Sequence, residues 1–404
     1  MANVGFVSVW FERGAAYVTK AYVDLIKSDH NVFVYARGGE YQAKGNEIWD
    51  KDYVTWGYRL FSTRINYSHI KKWIEDNRLD TIFFNEQSEF EILSQIKIDF
   101  PEIKLGTYID YYKEDTVHMF NMYDFLICNT KRHFDVFKSH PQVFFIPWGT
   151  DTELYSPTEQ VNNELTFFHS VGMSTRKGTD ILLKTFIEKK LYTKSKLIIH
   201  SQLNFQTTFG YSEEELKNYN IQLIQKTVTA PGLYSLGDVY VYPTTLDGLG
   251  LTMYEALSSG LPVITTDNGP MNEIIDSNNG RLVSVDYYRS RADAYYWPLS
   301  ICNSESLSEA MLFYINNPER LKEQKLTARE NAIKKYNWMD RKKEVLNAFE
   351  NTNVTHKEIN YKDTLKILKR KRRNHLLYEL TRFLPSSFEE KIFVRRIEKN
   401  NPDL

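Results

Sequence analysis

Cysteine is nearly absent: the 404 residues contain only Cys128 and Cys302, far apart along the chain. That excludes a disulfide-built scaffold and a cysteine-rich zinc site, and leaves two thiols of the kind usually found in cores. Long apolar runs are missing as well. Stretches such as TFFHSVGM and DVYVYP fall far short of the ~20 residues a membrane-spanning helix needs, and no basic stretch followed by an apolar one opens the chain. A cytoplasmic chain is therefore expected. There is no internal repeat and no low-complexity segment. The dinucleotide fingerprint Gly-x-Gly-x-x-Gly does not follow the first apolar run, where WFERGAAYV stands instead, which argues against a nicotinamide or flavin oxidoreductase. Nor does an Asp-x-Asp close a strand: Asp50 and Asp52 in WDKDY have the letters but follow no apolar run. No metal and no cofactor is expected.

What is present is ordinary in bulk, with 42% hydrophobic and 25% charged residues, and long enough for two cores. The formal net charge of -1 hides an asymmetry. Residues 355–404 carry 13 Lys and Arg against 7 Asp and Glu, so the tail is +6 and the body -7. Inside the tail, KILKRKRR (Lys366–Arg373) has six basic residues in eight. Tyr361, Leu365, Leu368, Leu376, Leu380 and Phe383 fall on one side of a helix at 3.6 residues per turn. Such a basic amphipathic segment, residues 361–384, suits an anionic membrane surface; an oligomerisation helix or a segment packed on the body has the same pattern. Nucleic acid is not expected as a partner.

Short apolar runs alternate with helical patterns along the body, the mark of parallel strands joined by crossover helices. NVGFVSVWF, NVFVYA, DTIFFN, KLGTYID, FLICN and VFFIPWG form a first series. ELTFFHSVG, SKLIIHS, NIQLIQ, DVYVYP, LPVITTD and GRLVSV form a second. The expected fold is α/β with two Rossmann-like doubly wound domains. Residues 1–148 make the first and 149–335 the second, with the switch near IPWGTDTELYSP (Ile146–Pro157). A closing helix over 336–354 returns toward the first domain, and the basic tail 355–404 follows.

The chemistry concentrates in two stretches. In PTTLDGLGLTMYEALSSG, DVYVYP ends just ahead of a Gly-x-Gly turn and a helix start, at the strand end where open α/β sheets bind ligands. Gly248 and Gly250 let the backbone approach a ligand, and the helix near Thr252 presents free N–H groups to an anion. Asp247 sits on the rim, and Glu255, one turn into the helix, can accept hydrogen bonds from vicinal hydroxyls. In FFHSVGMSTRKGTDILLKTF, Arg176 and Lys177 open a helix, a place where the dipole disfavours cations. A diphosphate bound between these cations and the helix near Thr252 gives them a purpose.

Together with IPWGTDTELYSP and NAIKKYNWMDRKKEVLNAFE, these motifs resemble those of the retaining family 4 glycosyltransferases of the GT-B fold, over about residues 3–350 and most strongly over 146–285. The resemblance implies sugar transfer from a UDP- or GDP-linked donor to a glycan, lipid-linked or soluble, in the synthesis of surface polysaccharide or glycoconjugate. It implies that Lys177 holds the diphosphate, that Glu255 binds the ribose, and that Asp247 lies near the transferred sugar. Leu249, Gly250 and Leu251 then supply backbone contacts, with Thr252 at the helix start, and Gly14 faces the donor phosphates from the first domain. Three positions depart from the family pattern. Asp247 replaces a glutamate and is shorter by about 1.5 Å. Met173 stands where an arginine is usual, with Arg176 as a substitute. Asp110 occupies the place of an acceptor-side histidine, as a base, an acceptor-binding acid or a helix cap. A non-catalytic subunit serving a partner transferase, a sugar phosphorylase and an epimerase share the fold and are the competing readings.

Overall fold

The computed structural model of the chain describes residues 1–37, 43–58, 65–85, 89–158, 162–355 and 359–381. Strands β1 (Asn3–Ser8), β2 (Asn31–Ala36), β3 (Val54–Trp56), β4 (Thr81–Phe84), β5 (Lys104–Tyr108), β6 (Phe125–Cys128) and β7 (Val143–Phe145) build a sheet in the order β3-β2-β1-β4-β5-β6-β7. All its pairings are parallel, with Phe6 beside both Val34 and Phe83. Helices cover the sheet, so β4 and β6 are buried at every residue, and continuous apolar runs are what such strands require. Each strand of the first predicted series is present. β3 is an addition: three half-buried residues are too short to give an apolar pattern.

The second sheet uses β8 (Thr166–Gly172), β9 (Lys196–Ser201), β10 (Ile221–Gln225), β11 (Val239–Tyr242), β12 (Val263–Thr266) and β13 (Gly280–Val283), ordered β10-β9-β8-β11-β12-β13. These are the six strands of the second predicted series. An unpredicted antiparallel ribbon follows, β14 (Val285–Arg289) with β15 (Leu299–Cys302). Every residue of β14 after Val285 is exposed, so it lacks the apolar alternation that marks a strand.

The chain crosses between the sheets twice, and the crossings lie side by side. Thr150 donates its N–H to the Tyr336 carbonyl at 2.7 Å, and the Trp338 N–H reaches the Thr150 carbonyl at 2.9 Å. Trp148 and Trp338, one from each crossing, lie 4.3 Å apart at their centroids, and the fully buried Tyr22 meets Trp338 edge-on at 5.1 Å. After the second crossing the helix Lys342–Glu350 returns to the first domain, where Phe349 packs on Phe83 and Phe125 at 5.1 and 5.4 Å.

The tail helix Tyr361–Thr381 is docked rather than free over its first half. It lies along the helix Phe90–Asp99; Tyr361 and Leu368 pack on the first domain's core, Leu365 is half-buried, and Arg372 pairs with Glu91 at 2.8 Å. Those apolar residues therefore face protein, which corrects the expectation of one continuous membrane-facing stripe. Lys366, Lys369, Arg370 and Arg373 point outward, and Leu376 is exposed. The Leu380 side chain and Phe383 lie outside the described residues. The approach to this helix is tied down by the fully buried Asp124, whose Oδ1 accepts the Thr355 N–H at 2.8 Å and whose Oδ2 pairs with Lys97 at 2.6 Å.

Candidate active site

Both sheets reverse their strand order once, between β1 and β4 and between β8 and β11. The loops at the carboxyl ends of β1, β5, β8 and β11 face each other across the domain boundary, where ligands of such sheets bind. They enclose a cleft of about 540 Å³. The loop after β1 contributes Arg13 and Gly14, and the loop after β5 contributes Asp110 and Tyr111. From the second domain come Arg176, Lys177, Asp247, Gly248, Leu249, Leu251 and Thr252. A smaller cavity of about 180 Å³ adjoins it, sharing Arg13, Gly14 and Thr252 and lined further by Glu255, Tyr155, Tyr234 and His200.

The cationic loop is shaped by one glycine. Arg176 and Lys177 lie in a short 3-10 turn, Thr175–Lys177, and the helix Thr179–Glu188 starts after Gly178. Gly178 has φ +73°, and a Cβ there would sit 2.0 Å from the Pro243 carbonyl oxygen at the end of β11. Only glycine lets this loop pass so close to the neighbouring strand end. Thr245 N–H and both threonine hydroxyls of Thr244 and Thr245 then bond the Arg176 carbonyl, at 2.8, 3.0 and 3.1 Å, locking the cationic turn to the loop that carries Asp247.

Asp247 is committed on both oxygens. Its Oδ2 accepts Lys177 Nζ at 2.5 Å and the Tyr242 hydroxyl; its Oδ1 accepts the N–H groups of Leu249 and Gly250 at 3.3 and 3.1 Å. Burial works to raise its pKa, but the charge of Lys177 and the hydrogen bonds from Lys177, Tyr242 and Gly250 outweigh it and hold the carboxyl well below the usual range. Glu255 shows the opposite balance. Burial raises its pKa, although hydrogen bonds from Tyr234, at 2.5 Å, and Tyr155 and the charge of Lys177 work against that. A carboxylate poised in this way gains from a ligand that offers it further hydroxyl donors.

Asp110 reaches the same loop from the other domain. A Cβ on Gly248 would lie 1.8 Å from its Oδ1, so a larger residue there would displace the Asp110 carboxylate. His133 is a neighbour that sequence reasoning missed: fully buried, it bridges the Tyr112 hydroxyl at 3.0 Å and the Gly248 carbonyl at 3.2 Å. Glu273 spans the boundary too, accepting the N–H groups of Lys131 and Arg132 at 2.6 and 2.8 Å at the start of the helix Lys131–Phe137.

Thus Lys177, Arg176, Asp247, Asp110, Gly14, Leu249, Leu251 and Thr252 line one cleft, Gly250 caps the helix Leu251–Ser258 behind it, and Glu255 lines the adjoining cavity. Met173 is exposed and lines neither. Arg13, beside both cavities, was legible only as the neighbour of Gly14. Among the described residues, no group of three or more His, Cys, Asp or Glu is placed to hold a metal ion. No helix among them is long and apolar enough to cross a membrane.

Two buried histidines give the fold a pH dependence. Burial pushes His133 down to about 3, reinforced by Arg132 and opposed by the Gly248 carbonyl; burial pushes His169 down to about 4, opposed by the Val241 carbonyl. Each stays neutral while folded and takes up a proton on unfolding below its ordinary value of about 6.5. Stability should be complete above that value and fall on acidification toward 4 and then 3, by about 1.4 kcal/mol per pH unit for each histidine once the unfolded form is protonated. Urea unfolding at pH 7 and pH 5 measures this; equal midpoints at the two would contradict it.

Comparison with known proteins places this geometry. Residues 151–296 match the family model described as Glycosyl transferases group 1. That stretch lies within the second domain. Over 234 residues the chain is 27% identical to a probable sucrose-phosphate synthase of Thermosipho melanesiensis, covering 53% of this chain and 48% of that protein. It thus spans about half the length of that curated relative. Among solved structures, the sucrose-phosphate synthase of Thermosynechococcus elongatus superposes with a TM-score of 0.68 at 16% identity, over 87% of this chain and 99% of that one. HepE of Anabaena, crystallised with UDP, superposes with a TM-score of 0.67 at 14% identity, over 87% of this chain and 100% of that one. The two domains together have the GT-B fold, and the second domain, to which the family model matches, supplies Arg176, Lys177, Asp247 and Glu255.

Proposed function

We propose that the chain is a retaining glycosyltransferase that moves a sugar from a nucleoside diphosphate donor to a glycan acceptor. The observation that carries this reading is the convergence of Arg13, Arg176 and Lys177 with the amino end of the helix Leu251–Ser258 on one cleft, next to a cavity that holds Glu255. The three cations and the backbone N–H groups take the diphosphate, and Glu255 takes the ribose hydroxyls. The UDP found in the similar HepE structure supports a uridine nucleotide. The hexose then lies toward Asp247 and Asp110. As the C1–O bond breaks, the electron pair leaves with the diphosphate, and fixed positive groups stabilise that charge without reorganising. The acceptor oxygen bonds C1 on the face the diphosphate vacates, and its proton passes to the departing phosphate oxygen. Asp247 acts as a positioning residue, since its oxygens already hold Lys177 and the glycine loop.

Incubating the purified chain with a panel of UDP- and GDP-sugars tests this. Hydrolysis or transfer of one of them, independent of inorganic phosphate and without release of an epimerised sugar, is expected. A chain that processes none is a non-catalytic subunit. Transfer should also survive chelation, because the cations and helix end do the work of a metal; abolition by EDTA with recovery in Mn²⁺ would overturn that part.

The reading extends to a cytoplasmic enzyme held at the inner face of the membrane by its tail. The outward face of the docked helix supplies Lys366, Lys369, Arg370 and Arg373, and each such charge near an anionic bilayer contributes about 1 kcal/mol. The intact chain should co-sediment with phosphatidylserine vesicles in low salt and come off in high salt. The triple variant Lys369→Glu, Arg370→Glu, Arg373→Glu should stay in the supernatant while processing donor normally. Unchanged sedimentation of that variant would remove the membrane from the reading, and with it the reason to prefer a lipid-linked acceptor.

A further inference from the structure

The second parallel sheet ends at Val283 and its next helix starts at Ser304, so residues 284–303 are not needed to complete the doubly wound unit. They form the β14–β15 arm. Its base is fixed to the loop that leads to Asp247: Ser300 gives its N–H and its hydroxyl to the Thr245 carbonyl at 2.9 and 3.1 Å. Its far end lies on the other domain. Tyr295 donates its hydroxyl to the Asp110 carbonyl at 2.9 Å, the Tyr296 N–H reaches the Tyr112 carbonyl at 3.0 Å, and Trp297 Nε1 meets the Tyr112 hydroxyl at 2.7 Å.

This arm changes what the cleft can recognise. Tyr295 stacks on Tyr111 with centroids 5.1 Å apart and planes at 12°. Arg291 lies 5.1 Å from the Tyr295 ring and forks onto Asp293, which also accepts the Tyr111 hydroxyl at 3.3 Å. Arg291, Tyr295 and Tyr111 line the same cleft as Lys177 and Asp247. Aromatic rings beside a guanidinium–carboxylate pair offer apolar surface for the C–H face of a sugar together with both donors and acceptors for its hydroxyls.

We propose that the Tyr111–Tyr295 stack and the Arg291–Asp293 pair, contributed by both domains, form the binding subsite for an uncharged saccharide ring of the acceptor. The inference rests on the transferase reading above. An uncharged ring is specified because Arg291, the cation beside these two rings, is already paired with Asp293, while Arg13, Arg176 and Lys177 are assigned to the donor diphosphate. Because the arm belongs to the donor-binding domain, the subsite is complete only when the two domains are together, and an acceptor ring is gripped only in the arrangement that also aligns the donor.

The test uses the full-length enzyme, the nucleotide sugar it processes fastest, and p-nitrophenyl α- and β-glycosides of glucose, galactose and N-acetylglucosamine beside the glucuronide. Transfer to at least one neutral glycoside is expected, with the glucuronide no better. Tyr111→Ala and Asp293→Ala should each raise the acceptor KM by about tenfold and move the donor KM by less than about twofold, whereas Tyr111→Phe keeps the acceptor KM near that of the parent. An unchanged acceptor KM in Tyr111→Ala, a parallel rise in donor KM, a preference for the glucuronide, or donor hydrolysis without transfer to any glycoside would each overturn the subsite. Absence of both hydrolysis and transfer for every nucleotide sugar would instead bring down the donor reading on which it rests.

Discussion

Replacing Lys177 with alanine is expected to lower turnover by about 10²–10³-fold, the loss typical of removing one preorganised group that stabilises transition-state charge. The position of the lysine sets the size. Its ammonium is held on Asp247 at 2.5 Å, in a cleft wall tied by three hydrogen bonds from Thr244 and Thr245 to the Arg176 carbonyl, so it needs no rearrangement when the diphosphate develops charge. The variant also leaves Asp247 facing the donor without its cation, which adds repulsion. Glu255→Gln, by contrast, should mainly raise the donor KM, because a ribose contact is made before and during reaction alike. Steady-state kinetics with correctly folded variants separates the two. Near-parental turnover in Lys177→Ala would move the diphosphate elsewhere.

The largest effect on stability is expected from Lys97→Ala. The Lys97–Asp124 pair is almost wholly buried, with side-chain exposures of 3% and 0%. Burial lowers the lysine pKa and the charge of Asp124 opposes that shift. Lys97 also donates to the Ile103 carbonyl at 2.8 Å, while Asp124 accepts the Leu105 N–H at 2.7 Å. Removing the cation strands a carboxylate in the interior, which costs about 3–5 kcal/mol. Chemical denaturation should show this as a lower midpoint, and loss of less than about 1 kcal/mol would mean that the pair behaves like a surface bridge.

Much of the fold was legible because parallel strands covered on both faces must be apolar throughout. FLIC and VYVY, each buried at all four residues, could hardly be anything else. The donor-side residues were legible for a related reason: Lys177 and Asp247 follow the ends of β8 and β11, the strands that flank the point of reversal. On the opposite wall only Gly14 and Asp110 were. Tyr111 sits among Tyr108 and Tyr112, two buried rings, of which Tyr108 also lines the cleft, and nothing local tells the cleft rings from the packed one. Asp293 and Tyr295 make their contacts to residues some 180 positions earlier, on an arm whose exposed strand carries no period. His133 was hidden similarly, since its partner Gly248 is in the other domain. The tail was misread in part because helical periodicity reports an apolar side without saying whether lipid or protein covers it.

The adjacent crossings at Thr150 and Trp338 carry both chain connections between the domains side by side, and the tail is fastened to one of the two domains. Asp124, Glu91 and the core beneath Tyr361 and Leu368 all belong to the first domain. A surface met by the basic face of the tail would anchor that domain. On the proposed transferase reading, the second domain, which carries Lys177 and Glu255, is the half without that anchor. If the halves part at these crossings, that reading lets a new nucleotide sugar load while the anchored domain keeps its place on a surface.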